Sequence, residues 1–151
     1  MKTLIDLEVG ETLEQAEWLT ISQDMINQFA EATGDYQWIH LDTERCNKES
    51  PFRTTIAHGF LTASVMPKAF EGVLAASDEI ASTINYGIDS LRFLEPVKSG
   101  DAIKYHFKLV EVVNKPAGKL FKMESSCELA SSGKPALVGT FLMLAVMQPS
   151  E

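Results

Sequence analysis

The chain has 151 residues, 45% of them hydrophobic and 23% charged, and a formal net charge of -8. That balance fits one globular domain, and an acidic surface repels phosphate backbones and anionic lipid, so nucleic acid and membrane are excluded as partners. Asp6 interrupts the first residues before a signal-like apolar stretch forms, and the longest apolar run, Phe141 to Met147, is too short to span a bilayer. Cys46 and Cys127 match no metal or redox spacing and are expected to be reduced thiols of a cytoplasmic protein.

In chain order, residues 14–21 predict a first strand. Ser22 then caps a helix with Asp24 in its first turn. Met25, Ile26, Phe29 and Ala30 share one face of that helix, and Gly34 supplies the left-handed residue that closes it. Asp42 caps a short helix through Lys48, which stops before Pro51. Ala57 to Ala76 is the most apolar helical candidate, apolar around most of its circumference between Phe60 and Ala69 as a buried helix is. Pro67 removes a backbone bond there, so a kink or break is expected near Ala63 to Met66.

The second half reads as strands. Ile103, Tyr105, Phe107 and Leu109 alternate with Lys104, His106 and Lys108; Phe121, Met123, Ser125, Cys127 and Leu129 alternate with Lys122, Glu124, Ser126 and Glu128. Asn114–Gly118 and Ser131–Pro135 have turn chemistry, which implies an antiparallel meander. Leu137 to Met147 is apolar on both faces and is expected to be central in the sheet. A buried helix followed by a sheet long enough to wrap it is an α+β layout, with residues 1–151 as a single domain.

Chemistry is concentrated in two segments. Gly34-Asp35-Tyr36-Gln37-Trp38-Ile39-His40 sets a carboxylate and an imidazole close together between two helices, a pair able to serve one water molecule as acid and base. In Thr55-Ile56-Ala57-His58-Gly59-Phe60, a glycine opens the apolar helix; its exposed N–H groups suit an oxygen that becomes enolate-like. His106 lies between two lysines on an expected solvated face, and three histidines without supporting ligand spacing predict no metal site.

Together the two segments resemble the MaoC-like dehydratases, the (R)-specific enoyl-CoA hydratase family of the hotdog superfamily, whose pattern is Gly-Asp, an Asn-Pro-containing spacer, an aliphatic residue and His, followed later by His-Gly. Gln37-Trp38-Ile39-His40 is most similar to the branch named for nodulation protein N. The stretch Asn85 to Val97 looks like the family's strand and turn after the helix. The resemblance implies a hotdog fold, an antiparallel sheet wrapped around a long central helix. It further implies Asp35 and His40 as the catalytic pair, either residue suiting either role. Gly59 would bind the thioester carbonyl, with Gln37, His58 and Ser64 completing the oxyanion and substrate side. Gln37 replaces an Asn thought to hold the water, and His58 orients the helix start rather than moving a proton. The expected reaction is hydration of a trans-2-enoyl-CoA to the (R)-3-hydroxyacyl-CoA, or its reverse. No cofactor is expected, acyl-CoA or an acyl-carrier thioester being the substrate, and the chain is expected to pair as a homodimer. Two other functions fit the fold, a thioesterase and a non-catalytic partner subunit of a two-chain dehydratase. The Asp-x4-His pair favours hydration over both.

Overall fold

The computed structural model describes residues 1–149. After a short 3-10 turn, Leu4–Asp6, come β1 (Thr12–Glu14), β2 (Leu19–Thr20), α1 (Gln23–Thr33), α2 (Trp38–Leu41) and α3 (Thr43–Glu49). Then follow α4 (Gly59–Ser64), α5 (Met66–Gly72), β3 (Ile80–Phe93), β4 (Ala102–Lys115), β5 (Gly118–Leu129) and β6 (Pro135–Met147). The strands form one antiparallel sheet in the order β1-β4-β5-β6-β3, with β2 also pairing β4. One face of the sheet packs on α4 and α5, the hotdog arrangement. Tyr105, Phe107, Phe121, Met123, Leu137 and Met143 meet Leu61, Met66, Ala69 and Phe70 in one core.

Local chemistry sets the helix ends. The Ser22 hydroxyl accepts the Met25 N–H at 3.2 Å, and Gly34 closes α1 at φ +78°, a conformation costly for residues with a Cβ. Asp42 accepts the Arg45 N–H at the start of α3. The apolar helix is two short pieces meeting at Val65. Pro67 occupies the first turn of α5, where no backbone N–H is needed, so the break falls within the predicted interval. Helix α4 is held to the sheet by the buried Tyr105 hydroxyl, which donates to the Thr62 carbonyl at 2.6 Å.

The expected strand over 14–21 is interrupted. Gln15 places its side-chain oxygen on the Tyr105 N–H at 2.8 Å, taking the position of a ladder carbonyl, and β1 and β2 remain separate. Strand β6 lies inside the sheet, between β5 and β3. Its second apolar face is explained by Leu142 and Leu144, which pack with Leu120 in a separate cluster. Strand β3 is an edge, exposed along almost its whole length. Among the described residues no helix is long and apolar enough to cross a membrane.

Candidate active site

The turn after α1 fixes Asp35. The left-handed Gly34 reverses the chain, and the Asp35 carboxylate accepts the Gln37 N–H at 3.3 Å, the short-range bond by which aspartate favours turns. Gln37 then starts α2, and His40 lies on its inner side, only 7% exposed, whereas Asp35 and Gln37 are exposed.

The segment 55–57 is pinned from two directions. Ile56 N–H donates to the Ile39 carbonyl at 3.0 Å, and Ala57 N–H donates to the Val97 carbonyl at 2.7 Å. This places the Ile56 carbonyl 2.7 Å from His40 Nδ1. A carbonyl only accepts, so Nδ1 carries the proton and Nε2 is left with a free lone pair. Burial holds the His40 pKa below that of an ordinary histidine. The Ile56 bond opposes the shift, His58 adds to it, and the Asp35 carboxylate opposes it.

His58 is arranged differently. Its Nε2–H donates to the Asp35 main-chain carbonyl at 3.0 Å, and its ring stacks on His40 with centroids 3.8 Å apart and planes at 24°. Phe29 covers it from another side at 4.9 Å. Nδ1 of His58 is buried and has no hydrogen-bond partner among the described residues, a state that ordinarily costs about 1–3 kcal/mol. With one nitrogen bonded to main chain and the other enclosed, the ring offers no group to a substrate.

One carboxylate oxygen of Asp35 and one ring nitrogen of each histidine lie within 4.8 Å of one another. Such a set could hold a metal ion only if the lone pairs converged. A metal sits in the plane of each imidazole it binds, and two stacked rings aim their lone pairs side by side. The cluster is better suited to proton transfer.

Gly59 begins α4, and among the described residues neither its N–H nor that of Phe60 meets an acceptor. A Cβ at Gly59 would stand 3.0 Å from the Phe93 ring, so glycine here permits a close approach. His40, Gly59, Thr62, Phe93 and Val97 are among the residues lining a half-open pocket of about 280 Å³; the exposed Asp35 and Gln37 do not line it, and Asp35 reaches it only through its proximity to His40. Ser64 is not brought to this pocket. It lines a depression on the other side of α4 with Phe60 and Ile88, and its hydroxyl donates to the Leu61 carbonyl at 2.8 Å. A larger depression, of about 530 Å³ near Phe70 and Leu74, contains none of the expected residues. Arg53 and Arg92 donate to nearby main-chain carbonyls, those of Asn47 and Leu91 respectively.

Sequence reasoning missed Gln23. Its amide donates to the His40 carbonyl at 2.8 Å and accepts from the buried Thr55 hydroxyl at 2.5 Å, joining α1, α2 and the approach to α4. A glutamine beside an expected cap gives no periodic signal; only the buried polar Thr55 beside the His-Gly segment hints that a partner exists.

The chain is similar to known proteins over most of its length. Residues 6–130 match the family described as "MaoC like domain". The chain is 36% identical over 144 residues to nodulation protein N of Rhizobium leguminosarum bv. viciae, covering 95% of this chain and 89% of that protein. It is 39% identical over 130 residues to 3-hydroxyacyl-thioester dehydratase Z of Mycobacterium tuberculosis, covering 85% of each. The unliganded R-hydratase PhaJ1 from Pseudomonas aeruginosa superposes with a TM-score of 0.77 at 28% identity, covering 95% of this chain and 85% of that one.

Proposed function

Because the chain belongs to the MaoC-like dehydratases, a family of hydro-lyases, we propose that it adds water to a trans-2-enoyl thioester, giving the (R)-3-hydroxyacyl thioester, or runs the reverse dehydration. The observation that carries this reading is Asp35 beside a buried His40 whose Nδ1–H is already held by a carbonyl.

The thioester carbonyl lies against the Gly59 N–H, and water sits between Asp35 and His40. His40 Nε2 takes a proton as the water oxygen bonds to Cβ; the π electrons move toward the carbonyl oxygen, where the N–H stabilises the enolate. A proton returned from the pair to Cα completes the addition on the same face, and both side chains end as they began. Dehydration follows the same path backwards. No cofactor takes part. The acyl group is carried on CoA or on an acyl carrier. A homodimer covers the long exposed edge of β3, placing the site near the subunit boundary.

Crotonyl-CoA tests the reaction. Loss of enone absorbance without free-thiol release is the expected result; thiol release would make the chain a thioesterase, and no change would remove the catalytic reading. Chiral analysis should find the (R) product, and a dominant (S) product would overturn the geometry of attack.

A further inference from the structure

The oxyanion or substrate role that the resemblance implies for His58 does not explain its surroundings. It is 3% exposed, flanked by Phe29 and His40, and keeps one ring nitrogen enclosed without a partner. Buried polar atoms are almost always paired, so an orphan asks what the side chain does that a cheaper one could not. Phenylalanine would fill the slot without an unpaired nitrogen, but it has no N–H for the Asp35 carbonyl. An amide side chain could donate to that carbonyl, but it has no aromatic face to lie against His40. Histidine is the side chain of this size that offers both, and the unused Nδ1 is what remains when Nε2 has been aimed at Asp35.

We propose that His58 is a positioning residue for both members of the acid–base pair: its Nε2–H fixes the main chain of Asp35, and its ring is the plate against which His40 is held. The two tasks act on different partners. Asp35 is exposed in a turn, and its own bonds there are long, 3.3 Å from Gln37 N to its carboxylate and 3.4 Å from its N–H to the Thr33 hydroxyl. The 3.0 Å bond from His58 ties this turn to the body of the molecule from 23 residues away. His40 is held at Nδ1 by Ile56, but a single bond leaves the ring free to tilt about it. The stacked imidazole removes that freedom and fixes the plane of the His40 ring, which lines the pocket.

The kinetic arm of this inference rests on the hydration reading; a spectroscopic arm does not. His58→Phe keeps the plate and loses the donor, whereas His58→Gln keeps an N–H within reach of Asp35 and loses the aromatic plate. With crotonyl-CoA, His58→Phe should lower kcat by about a hundredfold, the usual consequence of a misplacement near 1 Å, with KM and the thermal midpoint nearly unchanged. His58→Gln should recover about tenfold of that loss. NMR of the His40 Nδ1–H should show a slowly exchanging proton in the wild type and in His58→Phe, and its loss in His58→Gln.

Wild-type kcat in His58→Phe, equal losses in the two variants, or a rise in KM at constant kcat would each overturn the proposal, the last by making His58 a substrate contact. An unchanged His40 signal in His58→Gln would also overturn it. If His58→Phe does not fold, His58→Gln decides alone: a lost His40 signal with kcat within about tenfold of wild type supports positioning, and an unchanged signal refutes it. If the wild type does not hydrate crotonyl-CoA, the hydration reading fails, and the His40 signal still decides whether His58 holds the ring.

Discussion

A histidine whose Nδ1–H is held by a carbonyl has one nitrogen left for chemistry, and in this chain that nitrogen is Nε2 of His40. Asp35→Asn and His40→Gln preserve shape but not proton transfer, so each should lower kcat by about a hundredfold or more while leaving the thermal midpoint close to wild type. Steady-state kinetics beside a thermal melt checks both; near-wild-type turnover in either variant would remove that residue from the mechanism. The depressed His40 pKa also has a sign. The unfolded chain binds the proton near pH 6.5 and the folded one only below that, so the stabilisation is full above about 6.5 and declines as pH falls through the folded value. Urea midpoints at pH 5 and pH 7 should therefore differ less in His40→Gln than in the wild type. The acid limb of kcat/KM should lie below the ordinary histidine range.

Elements place these residues, and the glycines show how tightly. Gly34→Ala meets no neighbouring atom, yet it must hold φ +78°, so it should cost about 1–2 kcal/mol in a urea titration. It should also lower kcat, because Asp35 is the next residue. Gly59→Ala is different: its methyl would press on the half-exposed Phe93 ring, which can tilt, so activity should fall more than stability. Much of this was legible in the chain itself. Ser22, Gly34 and Asp42 act on backbone within a few residues, the alternation in β4 and β5 is local, and Pro67 cannot sit inside a helix. What could not be read depends on partners far away in sequence. Gln15 breaks the first strand through Tyr105, 90 residues on, and Gln23 meets Thr55 across 32. The motifs named Asp35, His40 and Gly59 as a set; the bonding that separates the task of His40 from that of His58 required the fold.

For the whole molecule the open feature is β3. It is fourteen residues long, pairs among the described residues with β6 alone, and exposes Ile84, Tyr86, Ile88 and Phe93. An unprotected edge of this length and polarity invites a second strand. Light scattering should find a dimer at micromolar concentration, and Ile88→Lys should shift it toward monomer and reduce hydratase activity with it. A monomeric wild type would end the dimer proposal.

The division of the central helix at Val65 also governs the order in which the molecule assembles. Pieces of six and seven residues are far below the length at which a helix persists alone, so α4 and α5 form only against a completed sheet. That sheet joins β1 to β4 across some ninety residues and β3 to β6 across 44 to 67, separations that slow folding. The Gly59 end of the site is therefore among the last parts to order and the first to open. In native-state hydrogen exchange, the amides of Leu61 and Thr62 should exchange through local openings, while those of β4 to β6 exchange only with global unfolding.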